Sequence, residues 1–348
     1  MRNVRVIGIG VICAMGNSAQ EVWDRLDREQ SGSLETGKLN YTSCLPAAKR
    51  RRINRYSDMA LFSAVNAIKD ASCAVEEVDP ARIGTIYSTG YGPMASNLEF
   101  ARKVSEDDPD LCSPTVFSST VSNACVGHIC MNLKCKGVST IIMGSNNLGY
   151  SQMLLSKNAA DYILSGAVEE YEEDLYRCFH SSQRIMDIKF CESVVTLLLA
   201  RDGVPAENVY CTLVDFEECD LGAYPVFIQL DEKRASSNMK SAISQVIGNK
   251  KIDLVISSGC GNEFDPLEQK VIDELLPEVP CIRKVKELFG ETLGAAFNIN
   301  ALVASLILKN NRIPSALHDG RSNCQDIRRI LVTGYNVSGS YIAYLFEK

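Results

Sequence analysis

The sequence contains little histidine and tryptophan and has no excess of positive charge. Its 348 residues include three histidines and one tryptophan, and 36 basic side chains stand against 43 acidic ones, for a net charge of −7. A nucleic-acid-binding surface needs a basic face to neutralise phosphate, so this composition argues against that function. With so few histidines, no zinc-ligand pattern occurs either. We predict that the protein uses no metal and no cofactor.

Long apolar runs and low-complexity segments are also lacking. No stretch approaches the roughly 18 consecutive apolar residues of a membrane span. The first residues, MRNVRVIGIG, indicate a strand and not a signal peptide. The fourteen cysteines are scattered through apolar runs such as VICAM, a distribution typical of reduced, buried thiols. We predict a cytoplasmic protein that does not enter a membrane.

The sequence does contain a regular alternation of strand and helix patterns. Strand patterns occur near residues 4–9, 82–90, 138–143, 162–168, 192–200, 208–216, 253–259, 329–334 and 340–347. Helix patterns occur near residues 57–71, 119–134, 148–159, 234–248, 265–276 and 292–309. This order predicts an α/β protein with sheets covered on both faces. Because no Pro/Gly linker divides the chain, we expect one body over 1–348, with halves at 1–205 and 206–348.

Several sequence blocks carry a family resemblance through their shared order. They read VRVIGIGVICAMGN, SNACVGHIC, AADYILSGAVEE, FDPLEQ, KVKELFGETLGAAF and GYNVSGSYIAYLF. In this order they resemble the β-ketoacyl-acyl-carrier-protein synthases, or ketosynthases, over nearly the whole chain. The resemblance implies the thiolase-like fold, in which two similar halves form five alternating αβαβα layers, and it implies a dimer.

The same resemblance indicates that the catalytic positions of that family are changed. A condensing enzyme needs a cysteine thiolate at a helix N-terminus and two histidines whose N–H groups stabilise an enolate. The nucleophile position here is Ser145, and the first histidine position is Ser258. The second histidine position is Glu291, and the lysine five residues before it, Lys286, is retained. We therefore predict a degenerate active site.

Glu291 is the most informative of these changes. A glutamate offers no N–H group to an enolate, and it repels a malonyl carboxylate by about 4 kcal/mol at 4 Å for an effective dielectric near 20. We predict that Glu291 forms a structural ion pair, either with Lys286 or with an arginine across the former active site.

The C-terminal loop differs from the family pattern in the same direction. In working synthases the corresponding loop is a glycine-rich gate. In YNVSGSY, which begins at Tyr335, Val337 replaces a phenylalanine, Ser338 a glycine and Tyr341 an asparagine. Loss of glycine removes backbone freedom, so the resemblance implies a stiffer gating loop.

Two cysteines remain as alternative nucleophiles. Cys125 lies in NACVG, which imitates the nucleophile block but belongs to the preceding helix, and a packed small residue is the alternative interpretation. Cys260 follows a strand in the glycine-flanked turn SSGCGN. Either residue, acting with Glu291, could serve a divergent condensing enzyme or acyltransferase.

The favoured interpretation is a non-catalytic subunit. A ketosynthase-like chain without catalytic residues resembles the chain-length-factor subunits of type II fatty acid, polyketide or polyene pathways. Such a subunit forms a heterodimer with an active ketosynthase, and segment 119–147 would lie at that interface.

A basic cluster suggests a second partner. Arg50, Arg51, Arg52 and Arg55 form either a solvated face or a docking patch for an acidic acyl carrier protein.

Overall fold

The computed structural model describes residues 3–28, 37–50, 52–72, 77–106, 112–181, 189–221, 230–259, 264–318, 326–335 and 339–348. Its strands are β1 (Val4–Ile12), β2 (Ile83–Thr89), β3 (Ser139–Met143), β4 (Tyr162–Glu169), β5 (Ser193–Arg201), β6 (Cys211–Asp220), β7 (Leu254–Ile256), β8 (Cys281–Ile282), β9 (Arg329–Tyr335) and β10 (Ser340–Glu347). Its helices are α1 (Ala19–Asp27), α2 (Ala47–Arg50), α3 (Arg55–Asp70), α4 (Met94–Glu106), α5 (Pro114–Ser118), α6 (Ala124–Leu133), α7 (Asn147–Ser156), α8 (Glu173–Ser181), α9 (Glu232–Ile247), α10 (Phe264–Leu275), α11 (Val285–Phe289) and α12 (Ala296–Asn310). Short 3₁₀ turns cover Pro80–Arg82, Leu293–Ala295 and Ser315–Leu317.

The strands hydrogen-bond in the order β3-β2-β4-β5-β1-β6-β10-β9-β7-β8. On one side β2 pairs in parallel with β3 and β4, and on the other β7 pairs in parallel with β8 and β9. The central strands pair antiparallel. The two groups of five strands meet only where Val4 to Val6 of β1 pair with Leu213 to Cys211 of β6. The arrangement on one side of this short join therefore mirrors that on the other.

Alternating side chains of the central strands enter different hydrophobic cores. In β10, Ile342 and Tyr344 pack into a core with α1, α7 and α12, whereas Tyr341 and Ala343 pack with α9 and α10. Strands β1 and β5 share the same inner core and send their other side chains to α3 and α6. Because strand side chains alternate between faces, the result is five layers in the order αβαβα, which confirms the predicted fold class.

The Gly-x-Gly at the start of the chain permits close packing of a helix on β1. A Cβ atom added to Gly8 would lie 2.2 Å from the Ala67 carbonyl oxygen of α3, and one added to Gly10 would lie 1.8 Å from that of Ser63. No larger residue fits without moving α3. The motif therefore serves helix packing here and does not form a phosphate-binding loop.

Two apolar helices have opposite environments. Helix α12 is buried from Phe297 to Leu308. The segment Leu293–Asn310 is long and apolar enough to cross a membrane, but 83% of it is buried inside the protein, as in a core helix. Helix α6 buries only Cys125, Val126 and Ile129. It packs beside β3, which is the last strand at its end of the sheet.

Some predicted boundaries differ from the structure. The helix predicted over 119–134 is shorter, since α6 covers Ala124–Leu133, and the separate helix α5, Pro114–Ser118, is not predicted. Helix α5 begins at the cap Ser113 and ends where Ser119 and Thr120 donate to the carbonyls of Val116 and Phe117. Strand β6 begins three residues later than predicted and continues to Asp220. These differences concern the ends of helices and strands. Local hydrogen bonds decide where an element ends, and the spacing of hydrophobic residues does not show it.

Candidate functional site

Ser145 lies between the end of β3 and the start of α7. Its side chain is buried, at 1% exposure, and its Oγ has no hydrogen-bond partner among the described residues. The next residue, Asn146, caps α7 by accepting from the Gly149 N–H at 3.2 Å, and it also accepts from the Tyr344 hydroxyl at 2.8 Å. No base is hydrogen-bonded to Ser145, so the hydroxyl is not activated as a nucleophile.

Ser258 follows β7 and belongs to a buried cluster of hydroxyl groups around Glu268. Its Oγ donates to Glu268 Oε2 at 3.1 Å. The other carboxylate oxygen accepts from Thr333 Oγ1 at 2.8 Å and from the Tyr341 hydroxyl at 3.1 Å. Burial raises the pKa of Glu268, and its hydrogen bonds to the three hydroxyls partly offset that rise. Ser258 is thus held by a structural network of α10, β9 and β10.

Glu291 forms the ion pair with Lys286 that the sequence predicts. Lys286 Nζ donates to Glu291 Oε2 at 2.6 Å, and the two side chains are only 9% and 10% exposed. The other oxygen, Oε1, accepts the Leu293 N–H at 2.8 Å. Both carboxylate oxygens therefore accept hydrogen bonds from nearby residues, Lys286 and Leu293, and the side chain has a structural role.

The turn that follows Glu291 is strained. Leu293 has a φ of +47°, in the left-handed region that residues with a Cβ seldom adopt. The hydrogen bond from its N–H to Glu291 holds it there. The backbone of Glu291 also pairs with Phe190, through a bond from Cys191 N–H to Glu291 oxygen at 3.0 Å. Such strain persists only where the surroundings over-determine it.

A second buried carboxylate, Glu169, supports this turn from the end of β4. It accepts the N–H groups of Gly90 at 2.6 Å, Tyr91 at 2.9 Å and Gly294 at 3.1 Å. Burial raises its pKa to about 7 against the lowering effect of these donors. The motif SGAVEE gives the position of Glu169, but the pattern does not predict partners from two distant loops.

Cys125 lacks the features of a reactive thiol. It lies in the first turn of α6 and is completely buried. Its Sγ lies 3.6 Å from the Tyr56 hydroxyl and 3.4 Å from the Ser122 carbonyl oxygen. Burial raises its pKa to about 12, so almost no thiolate exists at neutral pH. Burial and the raised pKa favour the interpretation of Cys125 as a packed side chain over that of a nucleophile.

The remaining predicted site residues divide between described and undescribed parts of the chain. Cys260, Val337, Ser338 and Arg51 lie outside the described residues. Tyr335 is buried at the end of β9, and its ring packs on Phe264 with centroids 4.4 Å apart.

The basic cluster is not uniform. Arg50 and Arg52 are exposed. Arg55 instead forms an ion pair with the buried carboxylate of Glu192, donates to the Leu39 carbonyl at 2.5 Å and stacks over Tyr41. Its charge is already compensated, so Arg55 does not belong with a free docking patch. Across the described residues, no group of three His, Cys, Asp or Glu side chains is placed to hold a metal ion.

Similarity to known proteins agrees with this architecture, although no family model matches the chain. The chain is 22% identical over 370 residues to the 3-oxoacyl-[acyl-carrier-protein] synthase 2 of Staphylococcus aureus strain MRSA252, covering 91% of this chain and 88% of that protein. It is 24% identical over 189 residues to the synthase of the same name from Synechocystis, covering 48% and 45%.

Solved structures match over the full length. The ishigamide ketosynthase/chain length factor superimposes with a TM-score of 0.80 at 15% identity, covering 100% of this chain and 99% of that one. A β-ketoacyl synthase from Burkholderia phymatum gives 0.79 at 18% identity, with 100% of each chain covered. The chain has the ketosynthase fold. A type II PKS acyl-carrier protein in complex with its ketosynthase also matches, at 0.79 and 16% identity, covering 100% of this chain and 99% of that one.

Ser145, Ser258 and Glu291 are the residues that the sequence resemblance assigns to the nucleophile and the two histidines of the ketosynthases. The side chains of Ser258 and Glu291 form hydrogen bonds with neighbouring residues of the protein and need no substrate to satisfy them. The arrangement can pack and stabilise a core, but the described residues supply neither an activated nucleophile nor an imidazole at these positions.

Proposed function

We propose that this chain is a non-catalytic ketosynthase-like subunit of the chain-length-factor type, which pairs with an active ketosynthase in a type II fatty acid, polyketide or polyene pathway. The ion pair between Glu291 and Lys286 is the observation that carries this proposal. An oxyanion-stabilising donor typically contributes a factor of roughly 100 to 1000 in rate. At this position the donor is replaced by an acceptor whose oxygens are already bonded.

The outer surface of the N-terminal half, 1–205, supports a role as a partner. Among the described residues, seven large hydrophobic side chains are exposed, and five of them lie between residues 117 and 150: Phe117, Val121, Met131, Met143 and Tyr150. We call these five the 117–150 surface. It overlaps the segment 119–147 that the resemblance assigns to the interface.

Strand β3 lies within this surface and has one neighbouring strand, β2, among the described residues. An open edge strand with exposed apolar neighbours favours association, because its unpaired N–H and C=O groups can pair with another chain. Large, apolar contacts are typical of obligate interfaces. A heterodimer with a ketosynthase would cover both the edge and the apolar side chains.

Native mass spectrometry tests this pairing. The chain is expressed alone and then together with the ketosynthase encoded nearest to it. We expect a one-to-one complex that forms at the expense of either homodimer. A stable homodimer that ignores the synthase and gains an acyl mass from acyl carrier protein would contradict the proposal and favour an acyltransferase, with Cys260 the first residue to replace.

We further propose that Arg50 and Arg52 contribute to docking of an acyl carrier protein. Both are exposed, on a chain whose net charge is −7. Opposite charge would accelerate encounter with an acidic carrier, and this contribution weakens with salt. The double variant Arg50→Glu, Arg52→Glu should slow association with the carrier at low salt. Unchanged association kinetics would remove these residues from the docking surface.

A further inference from the structure

A cleft next to α8 adjoins the turn of Glu291, whose N–H donates to the Lys189 carbonyl oxygen at 2.9 Å, but none of the family positions lines it. It has a volume of about 860 Å³, and its lining includes Lys38, Tyr171, Tyr176, His180, Lys189 and Phe190. Pockets that bind small molecules usually measure about 300–1000 Å³ and combine apolar walls with a few polar groups. The cleft therefore has the size and the mixed lining of a ligand site.

Aromatic rings form one wall of this cleft. Tyr176 stacks on Phe190 with ring centroids 4.5 Å apart and an interplanar angle of 25°, and Tyr171 lies 4.5 Å from Tyr176. The Tyr176 hydroxyl donates to the Glu170 carbonyl oxygen at 3.2 Å, and the Phe190 carbonyl accepts the Gly37 N–H at 3.1 Å. Tyr176 and Phe190 are only 2% and 4% exposed, so they back the half-buried Tyr171, whose ring is the aromatic face that a flat ligand would meet.

Two lysines are brought to the cleft by the same backbone contact. The bond between Gly37 and Phe190 joins the segments that carry Lys38 and Lys189, which are both exposed. Neither ammonium group forms an ion pair within the part of the chain that the structure describes. Two positive charges are thus available beside the aromatic wall.

The other charged groups of the cleft are mostly engaged. Arg177 pairs with Glu173 at 3.6 Å and with Asp174 at 3.2 Å. Glu172 accepts the Leu175 N–H at 3.0 Å, at the start of α8. Beneath the cleft, Glu170 accepts the Ala95 N–H at 2.8 Å, and burial raises its pKa to about 7. The lining carries three cationic side chains, Lys38, Arg177 and Lys189, against the two carboxylates of Glu172 and Glu173, so its charge favours an anionic ligand.

We propose that this cleft binds a small anionic molecule with a flat apolar body, of the aromatic carboxylate class. The ring system would pack on Tyr171, and the carboxylate would accept hydrogen bonds from Lys38 and Lys189. Charge-assisted hydrogen bonds of this kind are stronger than neutral ones. The site uses no side chain of the family positions and none of the 117–150 surface, although Lys189 and Phe190 pair through their backbone with Glu291.

Isothermal titration calorimetry with 2-naphthoate at low salt tests the site on the full-length protein. We expect saturable one-to-one binding, at least about tenfold weaker in the double variant Lys38→Ala, Lys189→Ala, because two charged donors are lost. The matched control Lys157→Ala, Lys250→Ala removes two exposed lysines elsewhere and should bind as the wild type does. Thermal unfolding of each variant checks that it is folded.

A neutral analogue separates the contribution of charge from that of the rings. We expect 2-naphthalenemethanol, which has the same ring system, to bind at least about tenfold more weakly than 2-naphthoate. Absence of saturable naphthoate binding, equal affinity in the Lys38 and Lys189 variant, or equal affinity for the neutral analogue would overturn the proposal.

Discussion

Helices α12 and α6 are both apolar, but they occupy opposite environments. Between the two sheet faces, α12 is buried from Phe297 to Leu308. Helix α6 lies in an outer layer, buries three residues and leaves Met131 70% exposed. The hydrophobic core of the protein covers the apolar side chains of α12 and removes them from water. The apolar side chains of α6 that remain exposed have no such cover among the described residues.

The inner layer and the 117–150 surface differ in the same way as the two helices. The inner layer, with the turn of Glu291 and Leu293 that leads into α12, is complete within one chain. The 117–150 surface is incomplete, because β3 is open and its neighbouring apolar side chains are exposed. This contrast is what the proposed role as a partner subunit would require.

Replacing Glu291 should give the largest effect on the inner layer. In Glu291→Leu, Lys286 loses the carboxylate 2.6 Å away, and Leu293 loses the acceptor that holds its left-handed backbone. Loss of one partner from a buried ion pair costs about 3–5 kcal/mol of unfolding free energy. Urea denaturation of the purified variant measures this loss.

The matched control removes both charges together. Lys286→Met combined with Glu291→Leu leaves no buried charge from this pair, so we expect it to recover most of the lost stability. If the single variant is as stable as the wild type, the ion pair does not hold the turn, and the structural role of Glu291 is wrong.

Leu302→Ala should be the next largest change. Leu302 is completely buried in α12, and deleting its side chain there leaves a cavity that costs about 2–5 kcal/mol of unfolding free energy. Met131→Ala on α6 makes a similar truncation on an exposed helix face, and it should change stability by about 0.5 kcal/mol or less. Equal losses in the two variants would contradict the distinction between the helices.

Charges on the 117–150 surface should affect assembly and leave the isolated chain nearly unchanged. The variant Met131→Asp, Met143→Asp places two carboxylates where we expect apolar partner contacts. Loss of a buried interface anchor typically costs about 2 kcal/mol or more of binding free energy. Native mass spectrometry should show loss of the complex, while thermal unfolding of the free chain stays the same. A complex that survives would place the interface elsewhere.

The smallest expected signal distinguishes a buried cysteine of α6, Cys125, from an exposed cysteine of α8, Cys178. At pH 8 a thiol with a pKa of about 12 is ionised in roughly one molecule in ten thousand, so Cys125 should resist iodoacetamide in the folded protein. Exposed Cys178 should be modified first. Peptide mass mapping after timed alkylation reads both sites. Rapid modification of Cys125 would show that its environment is open.

Much of the fold follows from the sequence because period and order are local properties. The strand predicted over 340–347 is β10, in which Tyr341 packs with α9 and α10 and Ile342 packs into the inner core. Helices α4 and α8 and the two-residue strand β8 are not predicted. Such elements depend on tertiary contacts, as α8 does when Tyr176 and Phe179 pack against Phe190.

The candidate site was only partly predictable. The Lys286 and Glu291 pair is five residues apart and follows from sequence, whereas Arg55 and Glu192 are separated by 137 residues. Likewise, the Glu268 carboxylate accepts from the hydroxyls of Ser258, Thr333 and Tyr341. Ser258 follows β7, and the other two residues belong to β9 and β10. No local pattern contains these partners, because the sheet topology brings them together.

The most direct test of the central claim is the activity of the purified, partner-free chain. It is incubated with radiolabelled malonyl carrier protein and an acyl carrier protein, and released CO₂ and condensed product are measured. We predict neither above the level without protein, because the described family positions hold no thiolate and no imidazole. Turnover by the wild-type chain that disappears in Cys260→Ala or Glu291→Leu would contradict the account and make the protein a condensing enzyme.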